Sequence, residues 1–225
     1  AGKHVFCEKP LAFSPEDVDE MIRARENNSV VIQAGLVFRS APQINYLKHL
    51  VEENGEKWGK ATNIIFRDSQ EKPYTGLDEH ASMWRQFKEK AHAGILFEHT
   101  IHDIDGMIMV FGEIDRVFAQ VDFFAEKEGI EDSVSAILTF KNGLKLTVNS
   151  MWNDIDYSRR RMEIFFEKSY IMVTVDEREE KSVDVRFKHL WNDEKVLEDS
   201  SMDQFFRKNV LQKPHRHNFS QYSLN

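Results

Sequence analysis

Two short stretches of the sequence combine residue types that could act together in proton-transfer chemistry. The first is Glu8-Lys9-Pro10, which directly follows the apolar run VFC, and the second is EHTIHDID, which begins at Glu98. In the second stretch Glu98 and His102 are four residues apart, so on a helix they would share one face. An imidazole beside a carboxylate is suited to general acid–base catalysis, because the carboxylate orients the ring and raises its basicity.

Lys9 is a candidate for stabilising charge at the end of a strand. In open α/β sheets, ligands bind beyond the carboxyl ends of parallel strands. A lysine held there by a prolyl turn can place its ammonium against a hydroxyl or carbonyl group, where it lowers the pKa of the hydroxyl and favours hydride departure. The alternative is a plain surface turn, in which Pro10 ends the strand pairing.

The second stretch also has alternative interpretations. The Glu98–His102 pair could be an ordinary pair on a helix surface. His99 and Asp103 form a second pair at the same spacing and suggest a metal site, but no third ligand stands at a recognised spacing, so we expect no metal. The His-Arg-His run at 215–217 is a weaker candidate and is expected to be a solvated tail.

Local signals predict a strand–helix–strand unit around the first stretch. Residues 3–7 predict a short buried strand, and Ser14 followed by Pro15 and two acids predicts the start of a helix. The apolar run 30–38 predicts a strand buried on both faces. Two strands joined by a helix in this way are typical of a parallel βαβ unit.

Beyond this unit the pattern changes to one dominated by strands. Pro42 begins a second predicted helix that ends near Gly55, and helical spacing returns over 94–112, with a strand at 61–69 and a loop at 71–93 between them. From residue 117 onward most runs are strand-like, and a last helix is predicted over 202–212. Hairpin turns are predicted at Asn142-Gly143, as a type I′ turn, and at Glu167-Lys168-Ser169.

Composition narrows the functional classes. The 225 residues carry 38 acidic and 30 basic side chains, a net charge of -8, which disfavours nucleic acid as a main partner. The basic run Arg159-Arg160-Arg161 is interpreted as a solvated strand edge. No apolar run approaches the ~18 residues of a membrane helix. The single cysteine, Cys7, excludes an internal disulfide framework and favours a reducing cytoplasm.

Taken together, the motifs resemble those of the Gfo/Idh/MocA oxidoreductases, which include glucose–fructose oxidoreductase and inositol dehydrogenase. AGKHVFCEKPLA is similar to the family's lysine signature, and GLVFRSAP resembles its G-x-x-x-R-x-x-P crossover. AGILFEHTIHDIDGMIMVFG resembles its glycine-rich run, acidic position, histidine and I-D pair, and EDSVSAILTFKNGLKLTVNSMW its D-x-x-x-x-x-L-x-F-x-x-G hairpin. The resemblance covers essentially the whole chain.

The resemblance implies an α/β fold in two parts. Residues 1–36 would be the C-terminal end of a Rossmann domain, and residues 37–225 an α+β substrate and oligomerisation domain with a mixed, mostly antiparallel open sheet. The family's phosphate-binding fingerprint, G-x-G-x-x-G, does not occur in this chain. We therefore expect roughly 80 to 90 residues of a βαβαβ domain upstream of Ala1, and further elements after the last helix.

The resemblance also implies roles for individual residues. Lys9 would hydrogen-bond the reacting hydroxyl beside the nicotinamide, while Glu8 and Pro10 would shape the cofactor side of that turn, with Lys9–Pro10 a candidate cis bond. His102 would be the acid/base. Glu98, where many members carry Asp, would orient or bind substrate hydroxyls.

Two more features of the loop and helix bear on the substrate. Trp84 and Arg85 are candidate substrate-lining residues, although they could equally belong to a loop that only covers one face of the domain. Only Gly94 remains of the two or three glycines that usually precede the acidic position.

The implied function is that of an NAD(P)-dependent dehydrogenase acting on a secondary alcohol of a sugar, cyclitol or sugar derivative. It would be cytoplasmic and a homo-oligomer, a dimer or tetramer formed through the open sheet face, with no nucleic-acid or membrane partner. NAD and NADP are told apart by a residue after the second Rossmann strand, which this sequence does not include. Two alternatives are an NAD-assisted glycosidase on the same scaffold and a non-catalytic binding or assembly domain.

Overall fold

The structure is a computed structural model that describes residues 2–73, 82–155, 158–176 and 182–189. These residues form a two-stranded parallel sheet and a seven-stranded mixed sheet. The predicted helix at 202–212 and the run at 215–217 lie outside the described residues. No helix in the described part of the chain is long and apolar enough to cross a membrane.

The N-terminal residues form the predicted strand–helix–strand unit, with β1 at Val5–Cys7, α1 at Pro15–Asn28 and β2 at Ile32–Ala34. The two strands pair in parallel. Ser14 caps α1, because its side-chain oxygen accepts a hydrogen bond of 3.1 Å from the backbone N–H of Asp17.

The burial predicted for these two strands is wrong for the described residues. Phe6 is 62 % exposed, and the run 30–38 forms only the short β2 followed by a 3₁₀ turn at Val37–Ser40. An apolar run shows only that a strand can be buried, and burial needs neighbours that cover it. Within the described residues β1 and β2 pair only with each other.

The remaining elements begin with α2 (Pro42–Trp58) and β3 (Ala61–Ser69). Helix α2 runs one turn past its predicted end at Gly55, because Trp58 is buried in the core, and Gly59 ends it with a positive φ of 76°. After a 3₁₀ turn at Met83–Gln86 come α3 (Lys88–Ala91), a π turn at Leu96–Thr100 and α4 (Ile101–Phe111). Six strands follow: β4 (Ile114–Asp122), β5 (Ser133–Phe140), β6 (Lys145–Met151), β7 (Arg159–Phe166), β8 (Ser169–Asp176) and β9 (Ser182–His189).

The large sheet has the strand order β4-β5-β6-β3-β7-β8-β9, so β3 lies at its centre. β3 pairs with β6 in parallel, whereas all other neighbours are antiparallel, which confirms a mixed, mostly antiparallel sheet. Alternate side chains of the sheet and the apolar sides of α2 and α4 share one core, which includes Leu47, Leu50, Ile64, Met107, Leu146 and Ile164. Asp68 lies on this covered face near the end of β3, and both Asp68 and Ser69 are fully buried.

The hairpin between β5 and β6 forms at Asn142-Gly143, but the type I′ geometry is wrong. Gly143 has a φ of 90°, and Asn142 is not among the described residues with positive φ. The backbone N–H of Gly143 bonds to the carbonyl of Phe140, which is the pattern of a type I turn followed by a left-handed glycine. Asn142 also links this turn to α4, since its side-chain amide donates a hydrogen bond to the carbonyl of Phe111 at the end of that helix.

The other face of the large sheet carries a row of side chains that crosses six strands. Register pairs place these residues side by side, in the order Phe118, Ile137, Thr147, Ile65, Glu163 and Met172. Three members of this row are large and apolar yet exposed: Phe118, Ile137 and Ile65. We call this row the open-face row.

Candidate active site

Lys9 lies just beyond the carboxyl end of β1, and its bond to Pro10 is cis, as the family resemblance implied. Its ammonium donates a hydrogen bond of 2.6 Å to the backbone carbonyl of Glu98 and lies 3.6 Å from the Glu98 carboxylate. Burial lowers the pKa of Lys9, and the nearby Glu98 offsets this only in part. Two stretches 89 residues apart in sequence therefore meet at this contact.

Glu98 belongs to the π turn, so the predicted helix 94–112 is not uniform. The N–H of Ile101 bonds to the carbonyl of Leu96, five residues back. Such a turn holds one residue more than an α turn, and π turns within helices are frequent at functional sites. The carbonyl that accepts the hydrogen bond from Lys9 lies within this irregular turn.

Gly94 and Glu131 fix the start of the π turn. The Glu131 carboxylate accepts hydrogen bonds from the N–H groups of Gly94 and Leu96, at 2.7 and 3.1 Å, and its own carbonyl accepts one from Ile95. A Cβ on Gly94 would stand 1.8 Å from the Glu131 carbonyl oxygen. The one glycine left from the family's glycine-rich run is thus required for close backbone approach.

Arg85 and Trp84 lie on the other side of Glu98. The guanidinium Nε of Arg85 is 3.1 Å from the Glu98 carboxylate. The central carbon of the same guanidinium, Cζ, lies 5.0 Å from the centre of the Trp84 ring. The structure therefore brings four of the residues singled out in the sequence together: Lys9, Glu98, Arg85 and Trp84.

His102 lies on α4 with its ring stacked on Phe38, at a centroid distance of 5.1 Å. Burial, followed by the charges of Lys9 and Arg160, lowers the pKa of His102 to about 4. The imidazole is therefore neutral at neutral pH and able to accept a proton. Its Nδ1 is buried, with no hydrogen-bond partner among the described residues.

The sequence predicted that the Glu98 carboxylate would orient the His102 ring, but a different residue does so. The Glu98 carboxylate accepts a hydrogen bond from Arg85 and its carbonyl accepts one from Lys9, and among the described residues no side-chain hydrogen bond joins Glu98 to His102. The ring is oriented by Phe38 instead. Phe38 is itself held in place because its neighbour Arg39 makes two hydrogen bonds, of 2.7 and 2.8 Å, to Asp105 on α4.

Glu8 and Pro10 complete the edge formed by β1 and β2. The Glu8 carboxylate lies against Gly35, where an added Cβ would be 2.7 Å from Glu8 Oε2. The N–H of Gly35 bonds to the carbonyl of Cys7 at 2.7 Å, so Glu8 and Gly35 lie side by side at the carboxyl ends of the two strands.

A buried charge cluster beneath these residues was missed by sequence reasoning. Arg160 Nε lies 3.3 Å from Asp68 and 3.4 Å from Asp103, and its NH2 group lies 2.6 Å from Nδ1 of His99. The interpretation of Arg160 as part of a solvated edge is wrong, since its side chain is only 15 % exposed. The signal was the alternation along β7, which places Arg160 on the same face as the buried Met162 and Ile164.

The cluster also replaces the predicted pairing of His99 with Asp103. His99 contacts Arg160 and lies 3.7 Å from Asp68, whereas Asp103 lies against Arg160. Burial raises the pKa of Asp103 to about 7, so below that pH the two carboxyl groups that share the Arg160 guanidinium retain a proton. No group of three potential metal ligands occurs among the residues that the structure describes.

Comparison with known proteins places this geometry in a family. Residues 1–36 match the family model described as "Oxidoreductase family, NAD-binding Rossmann fold", and residues 44–172 match the model "GFO/IDH/MocA C-terminal domain". Among curated relatives, the chain is 30 % identical over 176 residues to myo-inositol 2-dehydrogenase of Thermotoga maritima, covering 76 % of the chain and 49 % of the relative. The chain thus spans about half the length of this relative.

Solved structures show the same fold. An inositol dehydrogenase homolog from Azotobacter vinelandii in complex with NAD+ superposes with a TM-score of 0.73 at 17 % identity, over 88 % of this chain and 51 % of that one. A levoglucosan dehydrogenase in complex with NADH and levoglucosan gives a TM-score of 0.71 at 23 % identity, over 85 % of this chain and 52 % of that one. The two family models between them match most of the sequence, and this chain belongs to the GFO/IDH/MocA oxidoreductase family.

Proposed function

We propose that this chain carries the substrate side of the active site of an NAD(P)-dependent dehydrogenase acting on a secondary alcohol of a sugar, cyclitol or sugar derivative. The observation that carries the proposal is the meeting of a buried ammonium, Lys9, with Glu98 and a neutral imidazole, His102. This set supplies a proton acceptor and a fixed positive charge at the carboxyl end of a parallel strand, where α/β proteins bind ligands.

In the proposed reaction His102 accepts the proton of the substrate hydroxyl. Its low pKa keeps the ring neutral before the reaction. Lys9 stabilises the negative charge that develops on the substrate oxygen, and because its ammonium is partly desolvated, that charge interaction is stronger than it would be in water. Glu98 holds Lys9 and Arg85 in place and presents its carboxylate to substrate hydroxyls.

The residues present fit a nicotinamide nucleotide at this edge. Glu8, Lys9 and Pro10 turn sharply at the carboxyl end of β1, and the close approach of Glu8 to Gly35 keeps the end of β2 free of a side chain. When bound, the nicotinamide supplies the hydride acceptor for the substrate carbon.

Trp84 and Arg85 are proposed to line the substrate site. An aromatic ring beside a carboxylate and a guanidinium is suited to a polyol, since it offers an apolar face for C–H groups and charged hydrogen-bond partners for hydroxyls. Relatives named for inositol and levoglucosan support this substrate class.

The proposal extends to the organisation of the protein. Residues 1–36 are assigned to the Rossmann domain and 37–225 to the substrate domain, a division supported by the two family models. A second copy of the chain is proposed to cover the exposed apolar residues of the open-face row. A cytoplasmic location is consistent with the single cysteine.

The proposal is tested with a turnover screen of the full-length protein across sugars and inositols, with NAD and NADP, following NADH or NADPH absorbance. Lys9→Ala and His102→Ala should each lower kcat/KM for the best substrate by about 100-fold or more, because each removes a group that acts on the reacting hydroxyl. Lys48→Ala is the matched control, since its side chain pairs with Glu52 on the surface of α2.

If both site variants keep the wild-type activity, the site assignment is wrong. If turnover proceeds without net release of reduced cofactor, the protein is an NAD-assisted glycosidase and the proposed dehydrogenase function is wrong. If the full-length protein binds neither NAD nor NADP, the binding or assembly function remains.

A further inference from the structure

His99 is placed differently from the other histidine of the site. It lies in the π turn directly after Glu98, and its side chain is 34 % exposed although one ring nitrogen is held below the surface. That nitrogen, Nδ1, lies 2.6 Å from the NH2 group of Arg160.

The partner of Nδ1 determines where the proton of this ring resides. A guanidinium only donates hydrogen bonds and does not lose its proton in proteins. Nδ1 must therefore act as the acceptor, so the ring proton is on Nε2. Arg160 is itself fixed by Asp68 and Asp103, and Asp68 is held by a hydrogen bond of 2.6 Å from Gln70.

The surrounding charges keep this tautomer neutral. The groups that face His99 are Arg160 from β7, Lys9 after β1, Arg85 from the 3₁₀ turn and His102 from α4. Burial, followed by the positive charges of Arg160, Lys9 and Arg85, lowers the pKa of His99 to about 2. The nearby Asp68 carboxylate, 3.7 Å away, does not reverse the effect.

Contacts place the ring of His99 next to the proposed catalytic residues. Arg160, which contacts Nδ1 of His99, lies 5.4 Å from the centre of the Phe38 ring, and Phe38 stacks on His102. His99 also directly follows Glu98, whose carbonyl accepts the hydrogen bond from Lys9. Nε2 makes no hydrogen bond to another group among the described residues. A donor with a fixed proton thus lies near the proposed catalytic residues.

We propose that His99 is a second substrate-binding histidine, a permanently neutral donor whose Nε2–H binds a hydroxyl oxygen of the sugar or polyol other than the reacting one, with Arg160 as its positioning residue. The two histidines then have distinct roles, because His102 can accept a proton whereas His99 only donates a hydrogen bond. This inference rests on the proposed function and adds to it one specific subsite.

The test compares His99→Asn with His99→Gln in the full-length protein. Asparagine keeps an oxygen that can accept from Arg160 but has no group at the position of Nε2, whereas glutamine can place an N–H there. With myo-inositol or D-glucose, whichever the wild type turns over, we expect His99→Asn to raise KM roughly tenfold with kcat little changed, and His99→Gln to restore part of the loss.

Monodeoxy analogues of that substrate separate binding from a structural role. For the analogue that lacks the contacted hydroxyl, wild type and His99→Asn should have the same KM, whereas for the other analogues the difference should persist. If His99→Asn leaves KM unchanged, or raises it equally for every analogue, the subsite is wrong.

A second measurement does not depend on turnover. Nitrogen-15 NMR of histidine-labelled protein, assigned with His99→Asn, should show His99 as the Nε2–H tautomer with no titration between pH 5 and 9. A ring that titrates in this range or carries its proton on Nδ1 overturns the inference, whatever the turnover screen shows. If no polyol is turned over but this tautomer is found, the proposed function fails while the state of His99 stands.

Discussion

Two carboxyl groups on one guanidinium make the cluster at Arg160 sensitive to a single proton. Asp68 and Asp103 are both buried, and burial raises the pKa of each, although Arg160 acts in the opposite direction. A buried pair of this kind is costly when one partner is lost, but its net contribution to stability is small. The cluster matters for geometry instead, because the two carboxyl groups hold the Arg160 guanidinium against His99 and beneath the ring of Phe38.

At the scale of this residue cluster, Asp103→Asn should steepen the pH dependence of stability. Between its ordinary value of 3.8 and about 7, folded Asp103 keeps a proton that the unfolded chain releases, so its contribution falls as pH rises. His99 and His102 act in the opposite direction, because their folded pKa values of about 2 and 4 lie below 6.5. Without Asp103, the free energy of unfolding should rise more steeply with pH between 4 and 6.5.

Urea unfolding at a series of pH values measures this change. Asp115→Asn is the control, because it removes an exposed carboxylate on β4. Parallel pH profiles for Asp103→Asn and wild type would show that Asp103 is ionised in the folded protein.

At the scale of elements, the π turn depends on one close backbone contact. Gly94→Ala should destabilise the protein by about 3 kcal/mol or more, because its Cβ would stand 1.8 Å from the Glu131 carbonyl oxygen and the backbone must shift. Gly55→Ala in α2 is the matched control. It meets nothing within 4 Å and should stabilise by about 0.5–1 kcal/mol.

Thermal and chemical unfolding of the two variants give both values. Equal free energies of unfolding for Gly94→Ala and Gly55→Ala would show that the backbones of Gly94 and Glu131 can move apart without loss of stability. The π turn would then not depend on this contact.

Elements with a local signal were predictable from the sequence, and those that depend on distant residues were not. The cap at Ser14, the turn at Asn142-Gly143 and the alternation along β3 each act within a few residues. The π turn depends on Glu131, which is 37 residues from Gly94, and the environment of Arg160 depends on three other elements: β3, the π turn and α4. At the site, the motifs indicated Lys9, Glu98 and His102, whereas the stacking of Phe38 on His102 has no signal in the sequence.

At the scale of the whole molecule, the open-face row makes a prediction about association. Ile137, the second residue of this row, is 51 % exposed, so Ile137→Lys should leave folding intact while it weakens contact with a second copy. Sedimentation or light scattering should show that the mass of the wild-type assembly falls by a factor of two or more in the variant.

Ile22→Lys is the matched control, because Ile22 is similarly exposed but lies on α1. A wild type that is monomeric at micromolar concentration, or an Ile137→Lys variant that keeps its full mass, would contradict the proposed oligomer.

The central position of β3 has a consequence for synthesis of the chain. β3 leaves the ribosome early, but its neighbours β6 and β7 are encoded much later, and β7 ends only at Phe166. At ~5–20 residues per second, translation from the end of β3 to the end of β7 takes about 5 to 20 seconds. Until β6 is made, both hydrogen-bonding edges of β3 lack their final partners, and until β7 is made one edge does, while Asp68 has not yet met Arg160. Chains in this interval therefore carry an unpaired strand edge that can pair with another chain.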